Sequence, residues 1–218
     1  MINRALRLAL CLSLLCLTII SPSIAQEEIL SYHSDIEIHA DASMTVTEKI
    51  TVRSEGNRIQ RGIFRDFPTQ YQDRFGNTIR VNFQPISITR DTNNEPWSSE
   101  PRSNGVRVYI GDANVLLTNG IHNYELRYRT TRQLGYFEDH DELYWNVTGN
   151  GWDFRILQAS ARLTLPQEIG ISELAVEGYT GPFGASAEGI TQRIAKERAK
   201  AENTANMTEA MIRLPLCS

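Results

Sequence analysis

The sequence predicts an all-β protein, an antiparallel β-sandwich of immunoglobulin-like or jelly-roll-like kind, followed by a C-terminal tail that is helical or disordered. Three observations carry that expectation. Apolar and polar residues alternate through seven or more short segments, as in strands with one buried and one wet face. The connections are rich in Gly, Asn, Asp and Pro, as at "DRFGN", "TNNEP" and "TNG". No stretch of helical period separates the strands, which favours a sandwich over a fold of alternating strands and helices.

Residues 1–25 stand outside that fold. Arg4 and Arg7 precede the apolar run "LALCLSLLCLTII" (8–20), and Ser23 and Ala25 are the small residues that a signal peptidase prefers. The run is shorter than the roughly 20 residues of a membrane span. A cleaved secretory signal is therefore expected, with membrane anchoring if it stays uncleaved. Cys11 and Cys16 follow leucines rather than small residues, which argues against a lipoprotein. The processed chain is expected outside the cytoplasmic membrane, in the periplasm or at the cell surface.

Loss of the signal takes the formal net charge from −4 to −6, because Arg4 and Arg7 leave without any acid. An acidic chain without a basic run is not expected to bind nucleic acid or anionic lipid. Only Cys217 survives processing, so no internal disulfide is expected and the fold must rest on its core. About 190 residues suffice for one or at most two domains. No Cys/His spacing suits zinc.

The clearest strand is "SMTVTEKITVR" (43–53), where Met44, Val46, Ile50 and Val52 alternate with polar neighbours. Glu48 falls on the apolar register, a single exception. Ile36 and Ile38 alternate before it, and Ala-Asp-Ala-Ser between the two segments predicts a hairpin turn. "TIRVNFQPISITR" (78–90) places Ile79, Val81 and Phe83 on one side, and Pro85 predicts an edge or a bulge. Further strands are expected at "GVRVYIG" (105–111), "HNYELRYRTTR" (122–132), "ELYWNVTG" and "ASARLTLP". From Glu188 to Leu214 the composition turns to Ala, Lys, Glu and Arg, which predicts a helix with a weak apolar stripe. The expected organisation is a signal at 1–25, an extracytoplasmic sandwich at 26–184 and a tail at 185–218.

Three motifs carry a family resemblance: "GIFRDFPTQYQD" (62–73), "RTTRQLGYF" (129–137) and "DHDELYWNVTGNGW" (139–152). With the opening "ILSYHSDIEIHADASMTVTEKITV", residues 29 to 182 resemble the extracytoplasmic N-terminal part of predicted bacterial membrane proteins, domain of unknown function 2207 (DUF2207). The resemblance implies a signal peptide, a β-rich outer domain and membrane attachment through later helices. It brings no catalytic residues. Members continue into membrane spans where this sequence has its Ala/Lys/Glu-rich tail. That difference suggests a shortened soluble form, or a truncated or frame-shifted product.

Two constellations could carry chemistry. In the acid-rich stretch 138–142, an extended backbone puts Asp139 and Asp141 on one face about 6.6 Å apart. With Glu142 they are the candidate metal ligands, and Ca2+ is the cation that such oxygens would take. The bland reading is a charged entry to the strand holding Leu143, Trp145 and Val147. The second constellation interleaves Arg61, Arg65 and Asp66 with aromatics that include Tyr71, a mixture used to recognise carboxylates, phosphates or sugars. Its bland reading is a plug at the end of the core. Trp145 and Trp152 read as core. No phosphate loop, Ser-His-Asp order or nucleophile elbow is visible.

The functional expectation is a non-enzymatic binding or structural module of the cell envelope, without a cofactor. Its partner would be an envelope protein or polysaccharide, met by Arg61, Arg65, Asp66 and Tyr71. The alternative is a Ca2+-dependent or acid-assisted carbohydrate-active module built on Asp139, Asp141 and Glu142.

Overall fold

The hairpin marked most clearly by alternation lies at the centre of the largest sheet. Strand β1 (Glu28–Ile38) pairs antiparallel with β2 (Met44–Ser54), and the turn between them places Ala42 at a left-handed φ of 59°. Asp41 holds this turn by accepting hydrogen bonds from the Ser43 N–H at 3.0 Å and the Ser43 hydroxyl at 2.5 Å. The computed structural model describes residues 26–72, 76–166, 175–179, 191–195, 200–204 and 209–214. The expected signal peptide and Cys217 lie outside these described residues.

Beyond β2 the sheet continues through β10 (Gly120–Thr130), β6 (Phe83–Arg90) and the short β7 (Asn93–Asn94). Beyond β1 it continues through β13 (Ala159–Thr164), β16 (Lys200–Thr204) and β15 (Thr191–Ala195). Period-two register stacks the inward side chains in rows: Tyr32, Ile50 and Tyr124; Ser34, Glu48 and Leu126; Ile36, Val46 and Tyr128. The opposite face carries Asp35, Lys49 and Glu125.

A second layer covers the inward face. It consists of a three-stranded sheet, β3 (Ile63–Phe67), β9 (Gly105–Ile110) and β8 (Trp97–Arg102), beside a sheet of β11 (Leu134–Tyr136), β12 (Asp141–Trp145), β17 (Glu209–Leu214) and β14 (Ala175–Tyr179). Ile63, Phe67, Val108 and Ile110 join Leu143, Trp145 and Val147 in one core with the large sheet. Each such aliphatic side chain contributes roughly 1.5–3 kcal/mol on leaving water. The two layers make the expected sandwich.

Three features differ from the expectations. The β1–β13 pair is parallel, joining residues far apart in the chain, whereas every other pair of named strands is antiparallel. The segment 78–90 is two strands: β5 (Thr78–Arg80) pairs, among the described residues, only with β4 (Gln70–Gln72), leaving Ile79 exposed, and β6 begins at Phe83. At Pro85 the β6–β10 register shifts, so the proline marks a bulge as expected. The predicted helix at 188–214 is corrected too: the described residues there form β15, β16 and β17, and β16 and β17 pair with β13 and β12. Helix propensity is a weak preference, and unpaired neighbouring strand edges offer this segment a full set of backbone partners. Among the described residues no helix is long and apolar enough to cross a membrane.

Candidate functional site

The polar exception in β2 is the centre of the site. Glu48 is wholly buried because Met44, Val46, Ile50 and Val52 commit its register to the core. From the other layer, β3 sends Arg65 inward between Ile63 and Phe67, leaving it 3% exposed. The two meet as a bidentate pair: Arg65 Nη2 donates to Glu48 Oε1 at 2.9 Å and Nε to Oε2 at 3.0 Å. The Tyr128 hydroxyl donates to Glu48 Oε1 at 2.9 Å, and Arg65 Nε also reaches the Tyr32 hydroxyl oxygen at 3.0 Å. Arg65 Nη1 donates to the Asp66 carbonyl at 2.7 Å, and the guanidinium lies 4.7 Å from the Phe67 ring centre.

Burial would drive the guanidinium towards its neutral form, but the Glu48 carboxylate holds it charged, well above the ordinary arginine pKa. Burial also pushes the Tyr32 and Tyr128 hydroxyls well up, so both stay protonated donors. The cluster is internally neutral. Both Glu48 oxygens are engaged, so the carboxylate is a structural acceptor rather than a base poised for substrate.

The turn 148–151 closes over this pair. Gly149 has φ of 69°, and a Cβ there would fall 1.8 Å from Arg65 Nη1, so only glycine lets the backbone lie on the guanidinium. Asn146 Oδ1 accepts the Gly149 N–H at 2.7 Å, and its Nδ2 donates to Asn150 Oδ1 at 2.9 Å. Trp152 Nε1 donates to the Thr148 carbonyl at 2.7 Å. Trp145 differs: its buried Nε1 has no hydrogen-bond partner among the described residues.

Above Arg65 opens a pocket of about 260 Å³. Aromatic rings of Phe67, Phe83, Tyr128 and Trp145 line it, with the half-exposed Tyr71 and Tyr144. Phe67 and Phe83 stack with ring centres 4.0 Å apart, and Tyr128 meets them edge-on or tilted. Polar side chains come from Asn82, Thr130, Gln133, Asn146 and Asn150.

Strand alternation divides the four residues expected to form one surface. Arg65 and Tyr71 share the pocket. Asp66 faces the opposite way and accepts from Arg107 Nε and Nη2, both at 2.6 Å, while Arg107 stacks 3.9 Å from the Phe64 ring centre. These hydrogen bonds hold the Asp66 carboxyl below the ordinary aspartate range. Arg61 is exposed beside Gln60 and lines a separate, open groove of about 630 Å³ with Phe64, Trp97 and Tyr109.

The acid-rich stretch is likewise dispersed. Asp141 is buried at the start of β12, while the Asp139 side chain is 87% exposed. His140 Nδ1 lies 2.8 Å from Asp139 Oδ1, and its ring stacks on Phe137 at 4.8 Å. His140 Nε2 stands 3.6 Å from a Glu142 oxygen. Among the described residues, no three His, Cys, Asp or Glu side chains are grouped so as to hold a metal ion. Sequence reasoning missed Glu48 as a site residue and read Trp145 only as core. Glu48's misplaced polarity was the available signal.

The profile of the predicted membrane protein DUF2207 N-terminal domain matches residues 28–208. The chain belongs to the DUF2207 family. A relative, the uncharacterized protein YciQ of Escherichia coli (strain K12), is 28% identical over 159 residues, which is 73% of this chain and 25% of that protein. The chain thus spans a quarter of the relative's length. The DUF2207 domain shares its fold with part of the leukotriene A4 hydrolase of Saccharomyces cerevisiae (TM-score 0.54, 11% identity, 92% of this chain and 32% of that one). It also resembles an M1 zinc metallopeptidase of Deinococcus radiodurans (TM-score 0.51, 10% identity, 87% and 42%). At such identities the likeness is one of fold alone.

Proposed function

We propose that this DUF2207 domain is a non-enzymatic binding module, the outer part of a cell-envelope protein, and that it captures its partner in the pocket above Arg65. One observation carries this reading: the pocket wall is aromatic and amide-rich, while the single charged side chain in its lining among the described residues is already satisfied by Glu48 inside the protein. Aromatic walls with a few oriented polar groups suit binding. Such a guanidinium positions the pocket floor, and among the described residues of the lining no other acid or base stands beside it.

The family's membrane attachment supports a location at the envelope, with the β-domain outside. Tyr71 is 43% exposed, so its removal alters the pocket mouth at little cost to the core. The full chain, immobilised, should retain a component of solubilised bacterial envelope, and Tyr71→Ala should lower that retention at least fivefold. Equal retention by both would reject this pocket as the binding site.

A further inference from the structure

Resting on the binding-module reading, we propose that the pocket above Arg65 receives one uncharged, N-acetylated sugar residue of an envelope glycan. The first support is its electrostatics. Arg65 is the one charged residue in the lining among the described residues, and its charge is matched by Glu48 at 2.9 and 3.0 Å. A second charge brought into this partly dry site would go unpaired, at a desolvation cost that a neutral ligand avoids.

The second support is the polar inventory. Asn82, Gln133, Asn146 and Asn150 bring carboxamides to the lining. Asn146 already binds the Gly149 N–H and Asn150 inside the turn, and Gln133 Nε2 donates to Thr130 Oγ1 at 2.9 Å. An amide group has more donor and acceptor capacity than those bonds use. Sugar hydroxyls are likewise donor and acceptor at once, so carboxamides can satisfy them without a proton or charge being supplied. Tyr71 and Tyr144, 43% and 42% exposed, stand on the same pocket as platforms for the C–H face of a pyranose ring.

The third support distinguishes an acetylated sugar from a plain one. Trp145 is 8% exposed and lines the pocket, yet its buried Nε1–H has no acceptor among the described residues. Buried indole donors are ordinarily paired, as Trp152 is through the Thr148 carbonyl at 2.7 Å. The nitrogen itself is closed to solvent, so a ligand carbonyl meets it only if the Trp145 ring turns towards the pocket, and an acetamido group carries such a carbonyl. At about 260 Å³ the pocket lies just below the roughly 300–1,000 Å³ of sites for whole small molecules, which suits one residue of a longer chain.

The test titrates the full chain with four probes: tri-N-acetylchitotriose, its deacetylated cationic counterpart, maltotriose, and a neutral acetyl-capped Ala-Gly-Ser amide. Tryptophan fluorescence and heat should both report the acetylated sugar, with the deacetylated form at least tenfold weaker. Tyr71→Ala and Tyr144→Ala should each weaken binding at least fivefold. Trp145→Phe, which keeps a ring but removes the donor, should lessen the preference for the acetylated sugar over maltotriose. Saturable, Tyr71-dependent binding of the peptide alone would overturn the glycan assignment while leaving a binding module at this pocket. Binding of none of the probes would also overturn it, and the envelope-retention experiment would then decide the module reading separately.

Discussion

Arg65 and Asp66 are neighbours on one strand, yet they enter two arginine–carboxylate pairs that differ in nearly everything but chemistry. The Arg65–Glu48 pair joins the two layers, with side chains 4% and 0% exposed and two tyrosine hydroxyls filling the remaining valences. The Asp66–Arg107 pair lies on the outer face of the small sheet, at 28% and 23% exposure, with two 2.6 Å bonds. Bond length is therefore a poor guide to consequence. The outer pair has the shorter bonds, but water can replace them; the inner pair has nothing to replace it.

The largest effect should come from breaking the inner pair on one side. Arg65→Met leaves Glu48 buried and unmatched, and Glu48→Leu strands the guanidinium; each should cost about 3–5 kcal/mol in urea denaturation. The double variant should lose much less than the sum, because it removes the unmatched charge. Strict additivity would show that the two side chains do not act as one unit. Next in size is Gly149→Ala, which forces a left-handed non-glycine residue at about 1–2 kcal/mol and also displaces the guanidinium from Glu48. Its loss should shrink when combined with Arg65→Met.

The smallest effect belongs to the outer pair. Asp66→Asn should cost about 1 kcal/mol or less at neutral pH, and 1 M salt should narrow that difference while leaving the inner pair's coupling intact. The Asp66 carboxyl is lowered below its ordinary 3.8, so its contribution is present above that value and lost as pH falls through the lowered folded one. Glu27 behaves alike. Burial alone would raise its carboxyl, but N–H donors from Glu55, Asn57, Arg58 and Ile59 outweigh it and hold the pKa below 4.5. Wild-type stability should therefore be flat from pH 7 to about pH 5 and then decline, less steeply in Asp66→Asn.

Much of the fold was legible because strands with one wet face write their register into the sequence. Tyr124, Leu126, Tyr128 and Thr130 are all inward as alternation requires, and so are Ala159, Ala161, Leu163 and Leu165. What could not be read was pairing between distant segments. Nothing local to residues 159–164 says that they lie parallel to β1, and nothing in an Ala/Lys/Glu-rich stretch says that neighbouring sheet edges will draw it into strands. The site shows the same division. Arg65 and Tyr71 could be nominated from composition, and Glu48 could be noticed as out of place. That Glu48 answers Arg65 is a fact of how the layers face each other, 17 residues apart in sequence.

The parallel join between β1 and β13 also orders the events of folding. β1 leads the described chain, and its hairpin with β2 can form early, but the flank that receives residues 159–164 stays open until more than a hundred residues have followed. Closing so long a loop is slow, and an uncovered strand margin invites strangers. A chain made from its N-terminus thus presents its adhesive side first and its own cover last.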